Sequence, residues 1–217
     1  IEDVTSNEDV TLDVDLIAGT AWLFARPEFD STLDYLFVDE AGQVSLGHIV
    51  AMGMAAKNII LVGDQMQLGQ PIQGAHPGES GMSVLEFLLK DHATIPESQG
   101  IFLGTTWRMH DDVCRFISDA VYDGRLKPEP SNNIQKIVLS KRYHPALAPA
   151  GVRFIDVDHE GCSQESKEEG KIVCEIYDSL LDQRFINRNG IEHPFSAENI
   201  LVITPYNMQV NHLQEVL

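Results

Sequence analysis

Short runs of β-branched, aliphatic and aromatic residues alternate along the chain with longer stretches in which apolar positions recur every three to four residues. The short runs fall at 15–21, 35–39, 58–63, 100–105, 151–157 and 199–204. They are apolar almost throughout, the pattern expected of strands buried on both faces of a parallel sheet. The longer stretches, 45–56, 83–89, 110–122, 165–183 and 208–217, carry the helical period. Their alternation predicts an α/β fold of parallel sheets with flanking helices. The stretch 127–149, rich in proline and asparagine, reads as an irregular excursion rather than a domain boundary. One α/β run ends and a fresh set of elements begins near 103–107, which divides the chain into 1–103 and 104–217. There is no internal repeat, and no apolar run approaches the ~20 residues that span a bilayer.

Composition narrows the class. The chain has 217 residues, 43% hydrophobic and 22% charged, enough for one ordinary domain or two small ones with a sizeable core. It opens at Ile1 on an acidic stretch (Glu2, Asp3, Glu8, Asp9) without the pattern of a signal peptide, and is expected to be cut from something longer. The three cysteines, Cys114, Cys162 and Cys174, are odd in number and form no CxxC. They suggest no disulfide framework and a reducing intracellular setting, cytoplasmic, or nuclear in a eukaryote.

Charge constrains the partner. Fifteen Lys+Arg against 33 Asp+Glu leave −18, the wrong sign for a protein that grips nucleic acid with its whole surface. The two halves differ: residues 1–103 hold 3 basic and 16 acidic residues, residues 104–217 hold 12 and 17. Any polyanion contact is therefore local, or supplied by other parts of the protein.

Three segments carry candidate chemistry. Leu36-Phe37-Val38-Asp39-Glu40 is an apolar strand ending in two acids, and the carboxyl end of a parallel strand is where such sheets bind ligands. In a P-loop NTPase the first acid holds Mg²⁺ and a neighbouring acid positions the attacking water. The plain alternative is a polar strand end. Twenty residues later, the run 59–71 passes through Gly63-Asp64-Gln65-Met66-Gln67-Leu68-Gly69-Gln70-Pro71, a second strand entering a polar loop at the same sheet edge. The neutral amide of Gln67 suits a phosphate sensor that must let go after hydrolysis; the alternative is an ordinary turn punctuated by Gly63 and Gly69. Thr106-Trp107-Arg108-Met109-His110 precedes a helix. An Arg there can act as a finger on charge developing at a γ-phosphate, or simply sit at the surface.

Order and spacing join these segments. Asp39-Glu40-Ala41-Gly42, Gly63-Asp64-Gln65-Met66-Gln67-Leu68, Trp107-Arg108-Met109-His110 and Ile203-Thr204-Pro205-Tyr206-Asn207-Met208-Gln209 resemble, in sequence order, motifs of the Upf1-like branch of the superfamily-one helicases. That branch includes RNA-decay helicases and nuclease-linked DNA helicases. Gly19-Thr20, Phe116-Ile117-Ser118, Tyr122-Asp123-Gly124 and the segment 163–169 add to the match, so the resemblance covers nearly the whole chain.

The resemblance implies two tandem RecA-like lobes of the P-loop NTPase fold, with ATP between them. It gives Asp39 the Mg²⁺ and Glu40 the attacking water. Gln67 becomes the γ-phosphate sensor and Arg108 one of two arginine fingers. Asp39, Glu40, Gln67 and Arg108 are then expected to face one cleft, with Trp107 at its adenine end. Trp107 stands where the family has a Tyr that stacks on adenine; the indole keeps the stacking and loses the hydroxyl. Thr20 and Thr204 fall where the family touches the nucleic-acid backbone, with strand-end hydrogen bonding as the alternative for each. Gly42 replaces the more usual Ser or Ala, and Gln70 the Gly or Pro common before Pro71. Neither change removes a chemical group.

No GxxxxGK[ST] occurs in the sequence, so the phosphate-cradling loop and its Lys are missing, as is a second arginine finger. Gly170-Lys171 lacks both the leading Gly and the following Ser or Thr. The chain therefore reads as the middle of an ATP-dependent helicase that steps on a single strand of DNA or RNA, the remaining helicase segments, and an attached nuclease in some members, lying elsewhere. The rival is a nucleotide-gated clamp that holds nucleic acid without unwinding it; a purely structural interaction fragment would leave the polar motif residues unexplained. Asp156, Asp158, His159 and Glu160 as a metal site, and His159 with Cys162 and Cys174 as a zinc site, are poorer readings. Cys114 and Cys174 read as core. Lys136, Lys141 and Arg142 beside Tyr143 and His144 form a basic–aromatic cluster, able to meet a phosphate backbone or to be an exposed loop.

Overall fold

In the computed structural model, residues 4–69, 74 and 76–217 are described; the expectations for Gln70 and Pro71 lie outside them. The chain divides into two compact units, Ile1–Phe102 and Leu103–Leu217, each a mixture of helices and small sheets.

In the first unit the apolar run before the two acids forms β1 (Leu33–Val38), and the second run forms β2 (Ala56–Leu61). They pair in parallel, with Tyr35 opposite Asn58 and Val38 opposite Leu61. Alternation along β1 sends Leu36 and Val38 into the core, where they meet Leu23 and Phe24 of α1 (Ala21–Phe24), Met52 of α2 (Leu46–Gly53) and Val84, Leu85 and Leu89 of α3 (Val84–Leu89). Serines start two of these helices: Ser45 Oγ accepts the His48 amide at 3.4 Å and Ser83 Oγ the Glu86 amide at 3.1 Å, each satisfying an amide that the first turn leaves orphaned. The expectation of strands covered on both faces needs correction. Tyr35 and Phe37 on the other face of β1 stay exposed, because the helices that build this core pack on the Leu36/Val38 side.

The second unit holds a two-residue parallel pair, β3 (Thr105–Thr106) with β4 (Lys127–Pro128), and an antiparallel sheet of β5 (Lys136–Val138), β6 (Arg184–Ile186) and β7 (Glu192–Pro194). Its helices are α4 (Asp111–Val121), α5 (Lys167–Leu181) and α6 (Asn207–Val216). The antiparallel sheet corrects the expectation of parallel sheets alone, and the excursion at 127–149 in fact contributes β4 and β5. The β6–β7 turn is made by Asn187, whose side-chain oxygen accepts the amides of Asn189 and Ile191, with Gly190 at φ +76°, where glycine carries no steric penalty. The runs at 15–21, 151–157 and 199–204 join no ladder, Ala21 instead opening α1 and Asn199 closing the short helical turn Ala197–Asn199. Their apolar side chains are correspondingly bare: Leu16, Phe154, Leu201 and Ile203 are each more than 80% exposed.

Buried amides knit this unit together where aliphatic packing is sparse. Gln183, 2% exposed, accepts the Ser140 amide at 2.7 Å and donates to the carbonyls of Arg142 and Ser179. That grip fixes the basic turn carrying Lys141 and Arg142. An apolar hollow of about 570 Å³ lies among Ile155, Ile176, Leu180, Phe185 and Phe195.

Candidate nucleotide and nucleic-acid sites

The parallel pairing of β1 and β2 decides where the acids go. Both strands end on the same edge, and the ladder continues past them: the Val62 amide donates to the Val38 carbonyl and the Ala41 amide to the Val62 carbonyl, each at 2.9 Å. Asp39-Glu40 and Gly63–Gln67 therefore lie side by side. Asp39 Oδ1 accepts the Glu40 amide at 2.9 Å, and Glu40 adopts the left-handed conformation at φ +52°, ψ +39°, an uncommon state for a residue with a side chain. A short helical turn, Ala41–Gln43, follows.

The two loops touch through their backbones. A β-carbon on Gly42 would overlap the Asp64 carbonyl oxygen, and one on Gly63 would stand 2.6 Å from the Ala41 nitrogen. Here glycine is required by close approach, which gives the Gly42 departure from the family pattern a local reason. Asp64 organises the second loop, accepting the Met66 amide at 2.9 Å and the Gln67 side-chain amide at 3.3 Å. Gln65 pins the same loop to the segment after α3, donating to the carbonyls of His92 and Ala93 at 3.2 and 2.6 Å. Sequence reasoning assigned roles to neither Asp64 nor Gln65. The signal was the Asp two residues before the amide it orders, the usual Asx pattern.

Asp39, Glu40 and Gln67 are thus brought to one edge. Among the described residues no group of three or more His, Cys, Asp or Glu side chains is placed to hold a metal ion. The proposed Asp and His clusters around 156–162 are not assembled: His159 pairs instead with Glu169 at 3.6 Å, and Cys162 lies 3.8 Å from Glu168. The donor set at Asp39 still suits Mg²⁺, which keeps several waters and needs only one or two protein carboxylates beside substrate phosphates.

Thr20 immediately precedes α1, is exposed, and its hydroxyl makes no capping bond. Trp22, nearby, meets His48 edge-on at 6.0 Å.

In the second unit Trp107 and Arg108 occupy the loop between β3 and α4. Trp107 is 69% exposed, and the Arg108 guanidinium enters no ion pair among the described residues. His110 caps α4 by accepting the Asp112 amide at 3.1 Å. Thr204 lines a separate cavity of about 310 Å³ with His159, Ser163, Ser166 and Tyr206. Gln209 holds the two walls of that cavity together: its oxygen accepts the Ser166 amide at 2.7 Å and its nitrogen donates to the Ser166 carbonyl at 3.1 Å. Ser166 in turn caps α5 by accepting the Glu169 amide. Glu168, in the first turn of α5, has its carboxyl held below the usual range by backbone hydrogen bonding, helped by Ser166. Cys114 is fully buried, whereas Cys174, read as core, is only half-buried.

The AAA_12 family model, described as an AAA domain, matches residues 81–217, more than half of the chain. DNA polymerase alpha-associated DNA helicase A of Schizosaccharomyces pombe is 28% identical over 199 residues, covering 85% of this chain and 28% of that protein. Helicase SEN1 of Saccharomyces cerevisiae is 27% identical over 191 residues, 84% of this chain and 8% of the helicase. The DNA replication ATP-dependent helicase/nuclease JHS1 of Arabidopsis thaliana is 25% identical across the whole chain, which spans 16% of it. The chain thus spans less than a third of each of these relatives, and no helix among the described residues is long and apolar enough to cross a membrane. With the motif loops and these relatives taken together, the chain belongs to the AAA_12 family and is a distant homologue, over most of its length, of the Upf1-like superfamily-one helicases.

Proposed function

We propose that this chain is the middle part of an ATP-dependent helicase or translocase, in which two RecA-like lobes hydrolyse ATP and step along a single strand of DNA or RNA. The observation that carries the reading is the backbone contact of Asp39–Gly42 with Gly63–Asp64, on one edge of a parallel strand pair. This is where α/β sheets bind ligands. In this reading residues 1–103 belong to the first lobe and 104–217 to the second, while the phosphate loop, the second arginine finger and any nuclease lie in other parts of the protein. Three free cysteines suit a reducing intracellular setting.

Each residue has a task that its placement permits. Asp39 would hold Mg²⁺, which supplies charge neutralisation at the phosphate oxygens when bound with ATP. Glu40 accepts a proton from, and orients, the attacking water. Gln67, tethered to Asp64, donates a neutral hydrogen bond to the γ-phosphate and releases phosphate easily. Trp107 stacks on the base. Arg108, free of carboxylate partners among the described residues, donates to the oxygens on which charge builds in the transition state. Thr20 and Thr204 contact the nucleic-acid backbone through hydroxyls.

A strand-separation assay on the intact protein tests the reading. ATP-dependent opening of a duplex with a single-stranded tail is the expected result. ATP hydrolysis without opening would replace the motor with a nucleotide-gated clamp, and no hydrolysis at all would remove both.

A further inference from the structure

We infer that Asn132 is the positioning residue for the Trp107–Arg108 loop and thereby sets where the Arg108 guanidinium can reach. The inference rests on Arg108 acting as the finger proposed above. The loop is short, and its two functional side chains are exposed and enter no ion pair among the described residues, so the side chains at its tip do not define its shape. Its shape is defined from behind. Asn132, 4% exposed, sits in the helical turn Pro130–Ile134. It donates both side-chain N–H bonds to this loop: one to the Thr106 carbonyl at 3.2 Å, the other to the Met109 carbonyl at 3.1 Å. These acceptors bracket Trp107 and Arg108.

Three further bonds work in the same direction. The Glu129 amide donates to the Thr106 carbonyl at 2.9 Å, Asn133 accepts the Asp111 amide at 3.0 Å, and the Thr106 hydroxyl oxygen accepts the Arg108 amide at 3.3 Å. A segment more than twenty residues away in sequence therefore grips the loop on both sides of its tip. A finger stabilises a transition state only if it is already in place when charge develops, and a shift of about 1 Å can cost ~10² in rate. A buried amide donating to two carbonyls provides that placement, and an Ala there leaves the Met109 carbonyl without its donor.

The test is a double-mutant cycle in the intact protein, reading kcat for ATP hydrolysis with a single-stranded homopolymer. It is paired with amide hydrogen exchange over residues 105–113. Asn132→Ala is expected to lower kcat by roughly 10- to 100-fold in the otherwise wild-type protein, and by no more than about twofold when Arg108 is already Ala. Exchange should quicken over 105–113 and stay unchanged in α5. Equal losses in both backgrounds would show a general structural role and overturn the inference, as would a loosened loop with normal kcat. Should Asn132→Ala fail to fold, Thr106→Val removes the acceptor of the Arg108 amide with little change of shape, and the same non-additivity is expected at smaller size. If Arg108→Ala alone leaves turnover unchanged, the finger assignment fails and this inference with it. An effective Arg108→Ala beside a silent Asn132→Ala and Thr106→Val overturns only the positioning role.

Discussion

Gly42 lies against Asp64 so closely that any side chain at position 42 would overlap the Asp64 carbonyl oxygen. The contact joins the acid-bearing turn after β1 to the Asp64–Gln67 loop after β2 and fixes their separation. Restoring the Ser or Ala more usual in the family is therefore expected to harm this protein. Gly42→Ala should cost about 1–3 kcal/mol, the range for forcing an extra carbon into a packed site, measured by denaturant unfolding. An unchanged midpoint would mean that the two loops are not in backbone contact.

For Arg108, the expectation in the intact protein is a loss of ~10³-fold or more in turnover on Arg108→Ala, about 4 kcal/mol of transition-state stabilisation. Arg108→Lys should recover little, because a point charge does not reproduce the guanidinium fork. Steady-state ATPase assays with both variants decide it: full activity in the Lys variant would reduce Arg108 to a generic positive charge.

Gln209, 6% exposed, spends its whole amide on the backbone of Ser166. Removing a partner of buried backbone groups costs about 1–3 kcal/mol for each group left bare. Gln209→Ala should therefore lower stability by about 2 kcal/mol or more. It should also speed hydrogen exchange at the start of α5, where Ser166 is the cap. Unaltered exchange there would place the Gln209 contact outside the native ensemble.

Cys114 supplies a pH-dependent test. Burial, with some help from the nearby Asp111 carboxylate, holds its thiol above the ordinary value near 9.0. The unfolded chain therefore loses this proton at a lower pH than the native one. The stabilisation from Cys114 is present below the ordinary thiol value near 9.0 and is lost as pH rises from there through the folded value. Alkylation at pH 8 should modify the partly exposed Cys162 in the native protein and reach Cys114 only on unfolding. Native-state labelling of Cys114 would contradict its place in the core.

The helices α2 to α6 were legible from their period, and capping residues mark the starts of four of them. Ser45, Ser83, His110 and Ser166 each accept an amide of the first turn. The two acids were legible as a strand end because they close the continuous apolar run Leu36-Phe37-Val38. The runs at 15–21, 151–157 and 199–204 have the composition of strands, but a strand also needs a ladder partner, and composition does not encode one. The antiparallel sheet escaped notice because its strands are three residues long, too short for a period to show; only the Asn187–Gly190 turn signalled it. At the candidate sites, the exposed residues with chemistry stood out by type and spacing. The buried amides that hold their loops, Asn132 and Gln209, and the loop-ordering Asp64 are defined by contacts that sequence distance conceals.

The most direct test of the account is Glu40→Gln in the intact protein, with ATP binding and single-turnover hydrolysis measured side by side in the presence of single-stranded nucleic acid. The variant keeps the shape of the side chain and the left-handed turn that holds it, but cannot take a proton from water. ATP binding should survive while hydrolysis falls by at least ~10². Near-normal hydrolysis by Glu40→Gln would contradict the account, returning the acidic pair to an ordinary polar strand end.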